Sequence, residues 1–370
     1  MEKQITIIDH VGTKAGIDFY SISLLESLAK NNTHVSYYSN FKQENCPVPT
    51  RKTFYFQSSS NNILKALGFF HGYTSALFFC ILRKERNILL HSFSYTYKDL
   101  WAMLLLLLGN RRILTIAHDV DNFAPGDKFW IKKFILKNCT RIMVHNEYSL
   151  QEIEKLNVSE ISEKTVVIPH GHFLELTKQQ LEKSEAKNLL RLDSSKIYLL
   201  FFGQIKAVKG LSFLIEAIAL LPEKFHLIIA GKPQYSTSEI ELRIKELNIE
   251  SRITREFIYI TNEERNVYFS AADAAILPYT KIYQSGVLLM SMSYGLPCVT
   301  SDLPAFKEII SSGENGILFH SENAYDLAEK INSLFEVENL CSSVELQSLQ
   351  TMNTKHDWNA IAIQFKSKML

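Results

Sequence analysis

The stretch that decides the fold is Phe201-Phe202-Gly203-Gln204-Ile205-Lys206-Ala207-Val208-Lys209-Gly210. An apolar run typical of a β-strand ends there in a short glycine-containing turn, and a helix-like apolar segment follows. The stretch Pro278-Tyr279-Thr280-Lys281-Ile282-Tyr283-Gln284-Ser285-Gly286-Val287-Leu288 repeats this arrangement about 75 residues later. In parallel sheets, ligands bind at the carboxyl ends of strands, where cations and helix amides attract anions. The two stretches therefore predict a diphosphate site.

Strand-like runs alternate with helix-like segments along the chain in two series. The first series occupies 5–8, 87–90, 113–117 and 141–144, and the second occupies 197–202, 225–230, 253–257, 274–277 and 298–300. Alternation of this kind is typical of parallel strands with crossover helices on both faces. The sequence therefore predicts an α/β chain with two tandem, doubly wound, Rossmann-like domains.

The domain boundaries are predicted from composition. A segment rich in Lys, Glu and Gln at 174–195 separates the two series and is interpreted as a linker. It leaves a first domain at 1–173 and a second at 196–356. The tail, 357–370, has apolar residues at helical spacing, namely Trp358, Ile361, Ala362 and Phe365.

The overall composition excludes several kinds of protein. Lys and Arg number 40 against 39 Asp and Glu, so the charge balance gives no reason to expect a nucleic-acid partner. The 5 cysteines are scattered and form no CxxC pair, which favours a reducing compartment. We see no signal peptide, and the most apolar run noted, Trp101 to Leu108, is too short to span a bilayer. We therefore expect a cytoplasmic protein.

The two stretches, with their order and spacing, resemble the donor-binding half of GT-B glycosyltransferases of the GT4 family. The resemblance extends over nearly the whole chain. It implies two domains facing each other across a cleft, with a last helix that crosses back to the first domain. It also implies retaining transfer of a sugar from a UDP- or GDP-sugar to a hydroxyl of a glycan or lipid-linked acceptor. No metal or other cofactor is then obligatory, and bacterial polysaccharide assembly is the implied context.

The resemblance assigns the diphosphate contacts. The lysine before the glycine, Lys209, matches the family residue that contacts the donor diphosphate. The arginine common in the family is Gln204 here, so Lys206 is the predicted second cation. Ser285, Gly286 and Val287 open a helix whose amides face an anion. Each stretch alone is also compatible with an ordinary turn or helix cap, and only their combination favours a donor site.

One departure from the family concerns two glutamates, one near the donor sugar and one near the ribose. Ile282 and Met290 stand at those positions, and neither can ionise. Gln284 is a candidate to hydrogen-bond the sugar, and Glu308 a candidate to lie near the nucleotide. For both, an exposed polar residue at a helix end is the alternative.

Histidines follow the strand-like runs of the first domain. Five of the 11 histidines fall at such ends, which indicates a polar cleft floor: His10, His91, His118, His145 and His170. His118 resembles the family histidine that contacts the donor sugar, and a hydrogen-bonded turn residue is the alternative. The spacing predicts no metal site. In the loop at 10–18, Gly16 is predicted to allow close approach to the donor phosphates.

Three further interpretations stay open. The missing glutamates are compatible with a non-catalytic GT-B partner subunit, and some sugar-nucleotide epimerases have the same architecture. The segment 128–137 interleaves lysines with large apolar residues, as do surfaces in GT4 relatives that dock on anionic lipid. An amphipathic helix with solvated lysines is the more common meaning of that pattern. The alternatives for this segment are thus a peripheral contact with the inner membrane face and a helix of the core.

Overall fold

The structure is a computed structural model that describes residues 3–13, 16–41, 48–56, 59–118, 120 and 126–370. It divides into two compact units. Unit 1 comprises Met1–Gly171 and His356–Leu370, and unit 2 comprises His172–Lys355. Each unit contains one sheet whose described strands are all parallel.

The sheet of unit 1 has the order β3-β2-β1-β4-β5-β6-β7 across the described residues. Its strands are β1 (Gln4–Ile8), β2 (His34–Ser39), β3 (Thr50–Lys52), β4 (Asn87–Ser92), β5 (Arg112–Ala117), β6 (Arg141–Val144) and β7 (Thr165–Val167). The central strands are apolar and buried on both faces, as parallel sheets require. The order reverses between β1 and β4, and such a switch point opens a crevice at the carboxyl ends.

The helices before the second unit cover this sheet. They are α1 (Ile17–Lys30), α2 (Asn62–Leu82), α3 (Tyr97–Leu108), α4 (Phe129–Asn138), α5 (Glu147–Glu154) and α6 (Ser159–Ser162). Among the described residues, only α2 is long and apolar enough to cross a membrane, and 39% of its most apolar window is buried inside the protein. The sequence analysis did not identify α2 as a possible membrane span; the run that it considered, Trp101 to Leu108, lies in the shorter helix α3.

The sheet of unit 2 has the order β10-β9-β8-β11-β12-β13, with its switch point between β8 and β11. The strands are β8 (Ile197–Phe202), β9 (Phe225–Ala230), β10 (Ile253–Glu256), β11 (Ala274–Leu277), β12 (Cys298–Ser301) and β13 (Ile317–Phe319). The two decisive stretches follow β8 and β11. They therefore lie on either side of the switch point, where doubly wound sheets bind ligands.

The helices of unit 2 begin within the predicted linker. They are α7 (Leu174–Thr177), α8 (Lys183–Leu189), α9 (Leu211–Leu220), α10 (Ser238–Glu246), α11 (Asn262–Ala271), α12 (Gly286–Ser293), α13 (Pro304–Lys307), α14 (Ala324–Glu336) and α15 (Leu340–Lys355). Segment 174–195 forms α7 and α8, and α8 packs against α11. Its Lys187 is buried and bonds Asp273 at 3.1 Å, so the segment is part of unit 2.

The tail returns to unit 1. Asp357 caps α16 (Trp358–Lys368) by accepting a hydrogen bond from the Ala360 amide at 2.8 Å. The helix packs on α1, and its buried residues are the four predicted from their spacing. Gly171 permits this packing, because a Cβ there would lie 2.2 Å from the Trp358 ring.

Candidate functional site

The turn after β8 depends on a glycine at position 210. Gly210 has φ +66°, in the left-handed region that favours glycine. A Cβ at this position would lie 1.8 Å from the backbone oxygen of Pro278, the residue that follows β11. The close approach of Gly210 to Pro278 therefore brings the two decisive stretches together.

Further contacts join the same two stretches. The Thr280 amide donates to the Val208 oxygen at 2.9 Å. The Lys209 ammonium lies 3.8 Å from the centre of the Tyr279 ring, at the distance of a cation–π contact. A Cβ at Gly203 would lie 3.5 Å from the Val287 side chain. The stretches, remote in sequence, thus form one surface at the switch point.

The start of α12 contributes amides to this surface. Ser285 is the buried N-cap and accepts a hydrogen bond from the Leu288 amide at 3.2 Å. Gly286 and Val287 are half-exposed in the first turn, whose amides have no partner within the helix. The aligned peptide dipoles place roughly half a positive charge at this end.

Tyr279 holds the lysine and the helix cap in one cluster. Burial raises the pKa of its hydroxyl, and a hydrogen bond with Ser285 acts in the opposite direction. The Tyr279 backbone oxygen accepts hydrogen bonds from the Ser301 hydroxyl at 2.6 Å and the Ser321 hydroxyl at 3.3 Å. Tyr279 is therefore a fixed, neutral platform under Lys209.

The other predicted donor residues lie in the same region of unit 2 with different exposure. Lys206 is exposed, and Gln284 is half-buried just before the Ser285 cap. Glu308 is exposed at the end of α13, whose Phe306 contacts the Tyr279 ring at 5.5 Å between centroids. The roles of these residues stay predictions.

Gly231, which follows β9 directly, was not predicted from the sequence. A Cβ added at this position would lie 1.8 Å from the Gly203 oxygen. The Gly203 amide donates to the Ala230 oxygen at 2.9 Å, which fixes the start of the turn that carries Lys206 and Lys209. The available signal was a glycine immediately after the apolar run 225–230.

In unit 1, four of the five predicted histidines gather around the buried Tyr20. The ring centroids of His91, His118, His145 and His170 lie 4.7–5.8 Å from that of Tyr20. His10 lies apart, with its ring packed on Phe69 at 5.1 Å. The structure thus forms a histidine cluster at the sheet edge, defined here as these four histidines.

Hydrogen bonds order one end of the histidine cluster. His91 Nδ1 lies 2.8 Å from His118 Nε2, and His91 Nε2 lies 3.0 Å from the Ser21 hydroxyl. The Phe93 ring stacks on His118 at 4.3 Å between centroids. His118 is therefore held in one orientation from two sides.

Burial keeps the cluster uncharged at neutral pH. It lowers the pKa of His91, lowers that of His145 to about 4, and holds those of His118 and His170 well below the usual value. Neighbouring histidines add to the lowering at His118. Within the part of the chain that the structure describes, no group of three or more His, Cys, Asp or Glu side chains has a metal-binding arrangement.

The loop after β1 contains two glycines with different roles. Gly12 has φ +57°, and its Cβ would lie 1.9 Å from the Asn40 side chain. Gly16 has φ +75°, and its Cβ would meet no described atom within 4 Å. Asp9 fixes the loop by accepting from the amides of Val11 and Gly12 at 2.8 and 3.0 Å. Lys14 and Ala15 of this loop, and Asp119 next to His118, lie outside the described residues.

Comparison with known proteins shows the fold and a sequence resemblance over part of the chain. Residues 196–336 match the sequence model of the family Glycosyl transferases group 1. Over 99% of the chain, the structure resembles sucrose-phosphate synthase from Thermosynechococcus elongatus, with a TM-score of 0.77, 20% identity and 98% coverage of that chain. The chain therefore has the GT-B fold predicted from its sequence, and residues 196–336, most of unit 2, resemble group 1 glycosyl transferases in sequence.

Two further proteins resemble this chain. Anabaena HepE, solved in complex with UDP and glucose, has a TM-score of 0.77 and 16% identity, with 99% of each chain covered. The lipopolysaccharide core biosynthesis mannosyltransferase LpsB of Rhizobium meliloti is 27% identical over 164 residues, which are 42% of this chain. The match spans 46% of LpsB, about half of that protein. The resemblance to group 1 glycosyl transferases is confirmed, and the GT4 assignment stays a prediction.

Proposed function

We propose that this chain is a glycosyltransferase that moves a sugar from a nucleotide-sugar donor to an acceptor hydroxyl. One observation carries the proposal: the turns after β8 and β11 meet at the switch point, with Lys209 on Tyr279 beside the start of α12. A cation and helix amides on one rigid surface are what a leaving diphosphate needs, because its negative charge grows as the glycosidic bond breaks. Support comes also from the UDP bound in HepE.

In this proposal, each predicted residue has a stated task. Lys209 and the amides of Gly286 and Val287 hold the diphosphate, and Ser285 keeps that helix end in place. Lys206 adds a second charge, Gln284 bonds the sugar, and Glu308 lies towards the nucleotide. No obligatory metal is required, because these groups supply the positive charge.

In this proposal, unit 1 binds the acceptor. His118 orients the transferred sugar through the ring position that His91 and Phe93 fix, and Gly16 leaves room for phosphate oxygens. Transfer proceeds with retention, and the leaving phosphate takes the proton of the acceptor hydroxyl. The name of LpsB supports a glycan or lipid-linked acceptor in bacterial polysaccharide synthesis.

A donor screen tests the proposal. Release of the nucleotide is measured with UDP-, GDP- and ADP-sugars, with and without EDTA, and binding of each nucleotide is measured by isothermal titration. We expect binding of UDP or GDP, turnover with acceptor that survives EDTA, and loss of both in Lys209→Ala. Lys245→Ala, which removes an exposed lysine of α10, is the matched control.

The outcome also discriminates the alternatives. Ile282 lies a few residues before α12 and Met290 lies within it, and both are half-buried apolar residues. Their lack of charge suggests a non-catalytic partner subunit, and failure to bind any of these nucleotides would support that alternative. Interconversion of the donor sugar without any acceptor would identify an epimerase. Wild-type activity in Lys209→Ala contradicts the assigned site.

We also propose that unit 1 contacts the inner face of the cell membrane from the cytoplasm. The supporting feature is an aromatic strip, defined as Phe70, Tyr97, Trp101, Phe129 and Trp130 on α2, α3 and α4. The Phe70 and Trp101 rings lie 4.4 Å apart, and the Tyr97 and Trp130 rings 6.2 Å apart. Phe129 and Trp130 are 51% and 53% exposed. Exposed aromatic rings next to lysines are typical of membrane-surface segments.

Vesicle sedimentation tests the membrane contact. We expect the protein to bind vesicles containing anionic phosphatidylglycerol more tightly than neutral phosphatidylcholine vesicles, because Lys128 and Lys133 flank the strip. The variant Trp130→Ser should lose most of this binding. Equal recovery of the wild type and Trp130→Ser with anionic vesicles would contradict the proposal.

A further inference from the structure

A cavity in unit 1 lies beside the edge strand β3 and one face of α2. Its volume is about 320 Å³, at the small end of the roughly 300–1,000 Å³ of ligand pockets. It is separate from the histidine cluster and from the aromatic strip. The lining residues are Arg51, Lys52, Thr53, Tyr55, His71, Ser75 and Phe79.

Two cations of this cavity rest on aromatic rings. The Arg51 guanidinium lies 3.9 Å from the centre of the Phe79 ring, and the Lys52 ammonium lies 5.3 Å from that of Tyr55. Neither forms an ion pair with a carboxylate among residues 3–13, 16–41, 48–56, 59–118, 120 and 126–370. An aromatic face orients a cation without cancelling its charge. The described lining of the cavity therefore carries a net positive charge.

A buried hydroxyl in the same lining lacks a partner. Thr53 is 1% exposed, and its Oγ1 makes no hydrogen bond within the described part of the chain. Buried hydroxyls are normally bonded, because an unbonded one loses the water that it would otherwise contact. Ser75 and His71 add polar atoms, with Ser75 Oγ 3.4 Å from His71 Nε2. A ligand with oxygen atoms would satisfy this lining.

We propose that this cavity binds one anionic sugar residue of the acceptor, which carries a carboxylate or a phosphate. This inference rests on the proposed transferase function, since it names the acceptor class of unit 1. Arg51 and Lys52 neutralise the acid group, the exposed Tyr55 ring packs against the apolar face of the sugar, and Thr53 bonds a hydroxyl. The volume suits a single sugar, and a complete nucleotide sugar would not fit.

Binding of small probes to the full chain tests this inference. Isothermal titration uses methyl glucuronide, glucose 6-phosphate, neutral methyl glucoside and inorganic phosphate. We expect at least tenfold tighter binding of one anionic sugar than of methyl glucoside, and weaker binding of inorganic phosphate because it lacks the ring. The stronger of the two anionic sugars identifies the acid group. Equal affinity for methyl glucoside and both anionic sugars would overturn the inference.

Matched variants assign the binding to the cavity. Arg51→Gln should weaken binding of the preferred anionic sugar about tenfold. Lys30→Gln, which removes an exposed charge at the end of α1, should leave that affinity unchanged. Thr53→Val keeps the shape of the side chain and removes the unpartnered hydroxyl. Thr53→Val should weaken binding of the same probe without lowering the melting temperature. Unchanged affinity in both Arg51→Gln and Thr53→Val would refute the site.

Parallel titration with UDP and GDP separates this inference from the proposed function. Arg51→Gln should leave nucleotide affinity unchanged, because Arg51 belongs to unit 1 and the residues proposed to hold the diphosphate, Lys209 and the first amides of α12, belong to unit 2. Binding of an anionic sugar with no nucleotide binding would refute the transferase and support the cavity as a sugar site. Nucleotide turnover without preference for an anionic sugar would support the transferase and refute the cavity.

Discussion

The close approach of Gly210 to Pro278 gives a prediction whose size follows from the structure. In Gly210→Ala, the new Cβ would lie 1.8 Å from the Pro278 oxygen, at a residue with φ +66°. The left-handed conformation alone costs alanine roughly 1–2 kcal/mol. Relief of the overlap requires the backbone to move by about 1 Å, and we expect a total loss of about 3 kcal/mol in the free energy of unfolding.

Two other glycines of unit 2 separate these contributions. Gly313 has φ +85° and no atom within 4 Å of a Cβ, so Gly313→Ala measures the conformational cost alone. Gly286 has a Cβ position 3.8 Å from the Phe173 ring, which is ordinary contact, so Gly286→Ala should preserve stability. In a unit of this size, 1 kcal/mol shifts the melting temperature by roughly 2–4 °C. We therefore expect losses of about 6–12 °C, 2–8 °C and less than about 2 °C for Gly210, Gly313 and Gly286.

The assays are thermal unfolding followed by circular dichroism and nucleotide titration on the same samples. A shift of about 1 Å in the turn displaces Lys209, and misplacement on that scale can reduce catalysis about 100-fold. Gly286→Ala should weaken nucleotide binding without changing the melting temperature, because the new Cβ would occupy space beside the helix amides. The reasoning is refuted if Gly210→Ala melts at the same temperature as Gly313→Ala.

The remaining predictions concern buried polar groups. The pKa of His145 is about 4 in the folded state and about 6.5 in the unfolded state, so the unfolded chain takes up the proton first as pH falls. The free energy of unfolding, measured with urea, should therefore drop by about 3 kcal/mol between pH 7 and pH 4. A flat profile in that range would contradict this. Asp273→Asn weakens the partner of the buried Lys187 and should cost about 2–4 kcal/mol in urea unfolding, and a loss below about 1 kcal/mol would show that the pair is dispensable. His91→Phe keeps a ring but removes the 2.8 Å contact to His118, so turnover should fall about tenfold with KM unchanged; an equal change in KM would indicate a binding role instead.

Local sequence pattern predicted those features that depend on a single strand or helix. The apolar runs at 197–202 and 274–277 became β8 and β11, and Ser285 became the N-cap of α12. Such features depend on residues within a few positions of one another. The same is true of the apolar face of α16.

The exposed side of α2 was not predicted, because which part of an apolar helix is covered depends on its neighbours. Seven residues of α2 are buried, among them Phe69 and Tyr73, while Ile63 and Leu82 are more than 60% exposed. The sequence of α2 is nearly uniformly apolar, so its periodicity does not show which face packs on the sheet.

The sequence by itself determined the two-domain α/β organisation, nine of the thirteen described strands, and that glycine turns with lysines follow two of these strands. Only the tertiary structure decided that Lys209 lies on Tyr279, that Gly231 supports Gly203, and that four histidines surround Tyr20. The physical reason is that backbone preference and apolar period act over a few residues. Which strand ends become neighbours depends on strand order in a sheet, which is set by packing of the whole unit.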